Sequence, residues 1–245
     1  LELPRFLGID FGWRSQPSGL CCLELQGNDL HLIALDRLGE PVAILAWVDQ
    51  WATSTTVVAV DAPTIIPNPT GARLPDRLTH QLFGKYDAGC YPANLGRPFA
   101  DRTVALGKAL TDRGFCHAPT ILPRKVGRYQ IEVFPHPAIV HLFGLDRILK
   151  YKKGKLTDRS RELNRLKNYI ETVLSAIVPP LKLSHPLPEI PTNGKQLKEM
   201  EDQLDSLICA YVGAYWWYWG AEKNLTLGDE TNGYIIVPTI VNSGT

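Results

Sequence analysis

The run Thr55–Val60, TTVVAV, is β-branched and has no polar face. A half-exposed strand alternates apolar and polar residues. A run without alternation belongs to a strand covered on both sides, so this chain must build a sheet with layers on either face. The run stops at a carboxylate, Asp61, and Ala62-Pro63 then breaks the strand. Two other apolar segments repeat the combination: Arg5–Asp10 (RFLGID) ends in Asp10, and Tyr129–Phe134 carries Glu132 before Pro135 stops it. A carboxylate so placed is costly unless it is paired or bound to a cation.

The other elements frame these strands. Leu20–Leu25 and Leu30–Leu35 read as two strands joined by the Gly27-Asn28-Asp29 turn, which with the first strand suggests an antiparallel meander. Pro41 opens a helical pattern through Trp51, and helix signals recur at Arg102–Arg113 and over 137–150. Thr157–Val178 is amphipathic, with Leu163, Leu166, Ile170 and Ile177 at helical spacing. A proline-rich connection over 179–194 follows, then a long helix over Lys195–Trp219 and a small hairpin around Asp229–Gly233. The aromatic run Trp216–Trp219 at that helix's end reads as core or subunit interface and not as a base-stacking platform. Residues 62–100, with six prolines, four glycines and no clear period, read as a long loop insertion after the fourth strand. Such a connection inside a compact domain is usually functional or disordered. The order predicts one mixed α/β domain over 1–245.

Composition narrows the function classes. A chain of 245 residues buries roughly 70% of its unfolded surface and needs no disulfide or metal to hold a core. A net charge of +1 excludes a globally polycationic coat and a strongly acidic tail, but not a local basic patch. Five cysteines, with no C-x-x-C and with Cys21 next to Cys22, argue for a reducing cytosol over a secreted disulfide framework. The longest apolar stretch, Leu207–Trp219, falls short of the ~20 residues of a membrane span. The opening Leu-Glu-Leu-Pro-Arg does not read as a signal peptide. There is no nucleophile elbow, P-loop or dinucleotide fingerprint, and neither Cys116-His117 nor His136 with His141 has zinc spacing.

If the three strands are neighbours, Asp10, Asp61 and Glu132 converge at one end of the sheet. The helix segment Glu201-Asp202-Gln203-Leu204-Asp205 offers a further acid. Asp205, beside the apolar Leu204, is the one expected to point inward, with Asp202 a weaker candidate. Two unit charges at ~4 Å cost on the order of 4 kcal/mol at an effective dielectric of ~20. Converging carboxylates therefore demand protons or divalent cations. An all-oxygen set of Asp and Glu suits Mg²⁺ or Mn²⁺, and two such ions clamp a phosphodiester for in-line attack. His136, close after Glu132, is a minor candidate for a general base.

These residues carry a resemblance. GID at 8–10, VAVDAP at 58–63, RLPD at 73–76, IEVFPHP at 131–137 and LDSLICA at 204–210 resemble domain-of-unknown-function family 429, regarded as predicted nucleases of the ribonuclease-H-like fold. The resemblance runs from about residue 5 to 237. It implies a ribonuclease-H-like mixed sheet, with three antiparallel strands then parallel ones, flanked by helices. It also implies a divalent-metal-dependent nuclease in which Asp10, Asp61 and Asp205 surround two metals and Glu132 matches the family's glutamate before the proline. Where that family commonly has alanine after the late aspartate, this chain has Ser206.

Substrate contacts are expected from the basic run. Between Arg147 and Lys167 stand nine Lys or Arg and two acids, with Lys150, Tyr151, Lys152 and Lys153 at its core. The lysines are placed to meet phosphates of DNA or RNA and Tyr151 to stack on a base. Arg73 could face a phosphate, oriented by Asp76. Two other classes compete. A non-catalytic nucleic-acid or protein binder would keep the acids for structural reasons. An actin-like or sugar-kinase-like phosphotransferase is suggested by GIDFG at 8–12, but 245 residues leave no room for its second domain.

Overall fold

The computed structural model describes residues 2–13 and 17–239. Seven strands form one mixed sheet: β1 (Arg5–Asp10), β2 (Ser18–Gln26), β3 (Asp29–Leu38), β4 (Thr56–Val60), β5 (Cys116–His117), β6 (Arg128–Glu132) and β7 (Leu181–Lys182). Their order is β5-β6-β4-β1-β2-β3-β7. β1, β2 and β3 form the expected antiparallel meander, and β4 and β6 join β1 in parallel. A hairpin of β8 (Asn224–Asp229) and β9 (Gly233–Pro238) forms a second small sheet.

Helices cover both faces, as the polar-free β4 demands. α1 (Pro41–Trp51) and α3 (Ala100–Thr111) lie on one side, where Ile44, Val48, Leu106 and Leu110 meet Leu7, Ile9, Leu20, Val58 and Val60. α4 (Pro135–Phe143), α5 (Leu156–Thr172) and α6 (Gly194–Trp219) share the core of the other side with Phe6, Cys21, Leu23, Val57, Ala59 and Ile131. Trp216 and Trp217 belong to this core. The side chain of Asn193 caps α6 by accepting from the Gln196 N–H at 3.0 Å. α6 lies directly on the sheet because glycine faces it: a Cβ on Gly8 would stand 1.9 Å from the Ser206 carbonyl oxygen, and one on Gly19 1.9 Å from that of Asp202.

Some boundaries differ from expectation. The helical pattern over 137–150 shortens to α4, because Gly144 takes a left-handed conformation (φ 60°) and ends it. The 62–100 segment is not all loop: it holds α2 (Leu74–Phe83). Its buried positions include Asp76 and Thr79, so no apolar period marks it. Its start is a capping box between Arg73 and Asp76, with Pro75 in the first turn. α2 packs through Phe83 on the β8–β9 hairpin residues Leu227, Ile235 and Val237. Among the described residues no helix is long and apolar enough to cross a membrane.

Candidate metal centre

Alternation along the strands decides which carboxylates meet. β1 sends Phe6 and Gly8 toward α6, and Leu7 and Ile9 toward α1 and α3. Asp10 follows the α6 side by the two-residue period. β4 sends Val57 and Ala59 the same way, and Asp61 continues that row. Ile9 pairs with Val60, and the Asp61 N–H donates to the Ile9 carbonyl at 2.8 Å, so Asp10 and Asp61 lie side by side. Asp205, fully buried, comes down from α6 one residue before the Ser206–Gly8 contact.

The three acids feel one another. Burial pushes the Asp10 carboxyl well above its ordinary value; Lys152 opposes this, while Asp205 and Asp61 add to it. Burial likewise pushes Asp61 up to about 7, again against Lys152 and with help from Asp205 and Glu132. Because the folded value lies above the unfolded one, folding takes up a proton at Asp61. Below about pH 4 the group is protonated in both states and costs nothing. Between about pH 4 and 7 the unfolded chain has lost this proton while the folded state keeps it, so stability falls with rising pH and levels off above about 7, where both states are ionised. Asp61→Asn is therefore expected to raise the melting temperature of the metal-free protein at about pH 8 and to change it little near pH 4. A shift equal at both pH values would contradict this account.

Glu132 does not join the three. Its register partner is Val60, which faces α1 and α3, so its side chain leaves the sheet on the side opposite Asp10. There it meets Arg73, whose two terminal nitrogens donate to the Glu132 carboxylate at 2.8 and 2.6 Å. Arg73 also binds Asp76 at 2.8 Å, and Asp76 accepts the backbone N–H of Ala93 at 2.8 Å. Arg73, Asp76 and Glu132 are all at most 4% exposed. Burial raises Glu132 to about 7, although Arg73 pulls it down. Arg73 is thus held between two carboxylates, Asp76 and Glu132. The expectation of Glu132 as a fourth ligand fails on strand parity, which only the register reveals.

Asp202 is also engaged. It accepts from Arg37 at 2.8 Å and pairs with Lys198 at 2.9 Å. Its neighbour Glu201 holds Lys198 at 2.6 Å and Arg159 at 3.3 Å. Among the described residues no three acid, histidine or cysteine side chains are drawn close enough to hold an ion as they stand.

The loop between α4 and α5 reaches the same place through Tyr151 and Lys152. Tyr151 is 1% exposed and donates its hydroxyl to Asp205 Oδ1 at 2.7 Å, so it does not stack on a base. Lys152 reaches in beside it. Its Nζ stands 2.8 Å from Asp205 Oδ2, an ion-pair contact without the alignment of a hydrogen bond. Burial works against the charge of Lys152, but Asp205, Tyr151, Asp10 and Asp61 together hold its pKa well above the ordinary value. His136, at the start of α4, stays neutral: burial and Lys152 bring it down to about 4 against the pull of Asp205. That makes it a poor base near neutrality.

Lys150 and Lys153 turn outward. With Arg147, Arg161 and Arg165 they line a cleft of about 750 Å³ against α5, where Asp146, Asp158 and Glu162 temper the charge. A smaller cleft of about 160 Å³ opens on the other side of Asp61, walled by Trp13, Tyr91 and Phe134 over Arg73 and Glu132. Trp13 is held there by a hydrogen bond from its indole to the Asp61 carbonyl at 3.1 Å and by Phe99 at 4.4 Å between rings.

The donor set at Asp10 and Asp61 suits a hard divalent cation. Both are oxygen ligands at strand ends, and burial drives both toward protonation even against the charge of Lys152. What sequence reasoning missed is the place of Lys152: nothing in KYKKGK separates it from the lysines around it. A search of the curated proteins finds no match. A family model described as protein of unknown function (DUF429) matches residues 8–231, and the chain belongs to that family.

Proposed function

We propose that this chain is a divalent-metal-dependent hydrolase of phosphodiester bonds in nucleic acid, centred on Asp10, Asp61 and Asp205. The observation that carries the reading is the meeting of these three acids on one face of the sheet, where burial and mutual repulsion raise Asp10 and Asp61 together. The strand order, three antiparallel strands followed by parallel β4 and β6 on the far side of β1, supports a ribonuclease-H-like architecture. The outward cleft of Arg147, Lys150, Lys153, Arg161 and Arg165 is the surface suited to the phosphate backbone.

In this reading Asp10 and Asp61 would hold Mg²⁺ or Mn²⁺, which supplies Lewis acidity and lowers the pKa of water. The chain's own residues do the rest. Asp10 and Asp61 set the position of the reacting phosphate, and Lys152 lends positive charge beside it. Water oxygen bonds to phosphorus, the bond from phosphorus to the leaving oxygen breaks, and the water's proton balances the charge on that oxygen. Tyr151 fixes Asp205 and so fixes Lys152.

The seating of Lys152 among the acids favours a second reading, in which the lysine satisfies them and the chain binds nucleic acid without cutting it. One measurement separates the two. At a Mn²⁺ concentration about 100 times its Kd, binding adds about 2.7 kcal/mol, or roughly 5–10 °C of melting temperature in a chain of this size. The wild type is expected to show this rise and Asp10→Asn to lose it. Cleavage is then sought on single-stranded, duplex, hybrid and branched substrates. Equal responses of the two proteins to Mn²⁺ would remove the metal centre and leave the binding reading.

A further inference from the structure

Lys152 does more than border the acids. Its ammonium stands 2.8 Å from Asp205 Oδ2 with 31% of the side chain exposed, and its charge also lowers the carboxyl pKa values of Asp10 and Asp61. It is held there from two directions. Tyr151 donates to the other oxygen of Asp205 at 2.7 Å, and the Tyr151 carbonyl accepts from Arg159 at 3.0 Å, which pins the loop to α5. Both oxygens of Asp205 are therefore already engaged, one by a hydroxyl and one by an ammonium. The acids outside the cluster have cations of their own: Arg37 and Lys198 for Asp202, and Arg73 for Glu132 and Asp76. Lys152 is thus the cation in contact with Asp205 and the one that acts most on Asp10 and Asp61, with Lys198 adding to it at Asp61.

Charge then fixes the count of ions. Asp10, Asp61 and Asp205 bring three negative charges when ionised, and Lys152 cancels one. One divalent cation cancels the remainder. A second divalent cation would share the cluster with an ammonium, at a repulsion that the spent charge of Asp205 could no longer offset. We propose that Lys152 takes the charge-compensating place of a second metal, so that this centre binds a single Mg²⁺ or Mn²⁺ between Asp10 and Asp61 rather than the two ions the sequence suggests. This rests on the metal-dependent reading above and refines it. Lys152 is a permanent part of the site, and Asp205 anchors the lysine instead of ligating an ion.

The test is a count of bound Mn²⁺ by titration, read as the loss of the free-ion paramagnetic resonance signal, with Asp10→Asn as the blank for adventitious sites. The wild type should bind one Asp10-dependent ion per chain. Lys152→Met should bind two, or one ion at least tenfold more tightly. Lys152→Arg, which keeps the charge, should still bind one. Two Asp10-dependent ions on the wild type would overturn the proposal while leaving the metal centre intact. So would a Lys152→Met protein that binds one ion with unchanged affinity. No Asp10-dependent ion on the wild type would overturn both this proposal and the metal-dependent reading. The wild-type count stands as a test even if Lys152→Met fails to fold.

Discussion

Gly8→Ala is expected to keep the chain from reaching this fold. The added Cβ would lie 1.9 Å from the Ser206 carbonyl oxygen and 2.3 Å from the Ala210 nitrogen. Overpacking a core usually costs about 1–3 kcal/mol, because side chains shift to make room. Here the obstacle is the backbone of a buried helix, in the turn that also carries Asp205, and it cannot turn aside. Helix α6 would have to lift from β1, exposing the apolar face it shares with Phe6, Val57 and Ala59. Against a total stability of about 5–15 kcal/mol that loss is decisive. The variant should be insoluble or show no cooperative melting by circular dichroism. Gly39→Ala, where the new Cβ would meet nothing within 4 Å, serves as the control and should melt within a few degrees of wild type. A Gly8→Ala protein that melts like that control would mean that α6 does not lie where described.

Arg73→Met is the second large effect. It leaves Glu132 and Asp76 facing each other in a region at most 4% exposed, with no cation between them. Removing one partner of a buried ion pair costs about 3–5 kcal/mol. For a chain of this size that corresponds to a fall of roughly 6–20 °C in melting temperature. Adding Glu132→Gln to the same protein should return part of the loss, because it removes one of the stranded charges. A loss below about 1 kcal/mol in denaturant unfolding would place the network among the weak ion pairs of a protein surface.

Much of the architecture is written locally. The β4 run, the meander turn at Gly27-Asn28-Asp29, the Asn193 cap with the α6 stripe and the hairpin near Asp229 each carry their signal within a few residues. The meeting of Asp10, Asp61 and Asp205 also follows from local reading, since each sits at the end of a recognisable strand or beside an apolar stripe. What depends on pairing register is not local. Glu132 looks equivalent to Asp61 along the chain, and only its alignment with Val60 shows that it points the other way. Helix α2 stays hidden for a related reason: its inward positions mix polar Asp76 and Thr79 with Pro75 and Phe83, and Asp76 is held by Arg73 from the preceding turn and not by an apolar neighbour. Tyr151 and Lys152 are hidden because a basic run carries no sign of which residues turn inward; Gly144 ends α4 early and lets the loop fold back on Asp205.

The link from Glu132 through Arg73 to Asp76 and Ala93 fastens the 62–100 segment to the end of a central strand at two points. The wall it forms beside Asp61 therefore moves with the sheet and does not act as a flap. What can enter the small cleft is governed at its rim, where Tyr91 is 57% exposed with Arg97 stacked on its ring. Engineering a different guest for that cleft would begin with Tyr91 and leave the arginine beneath it alone.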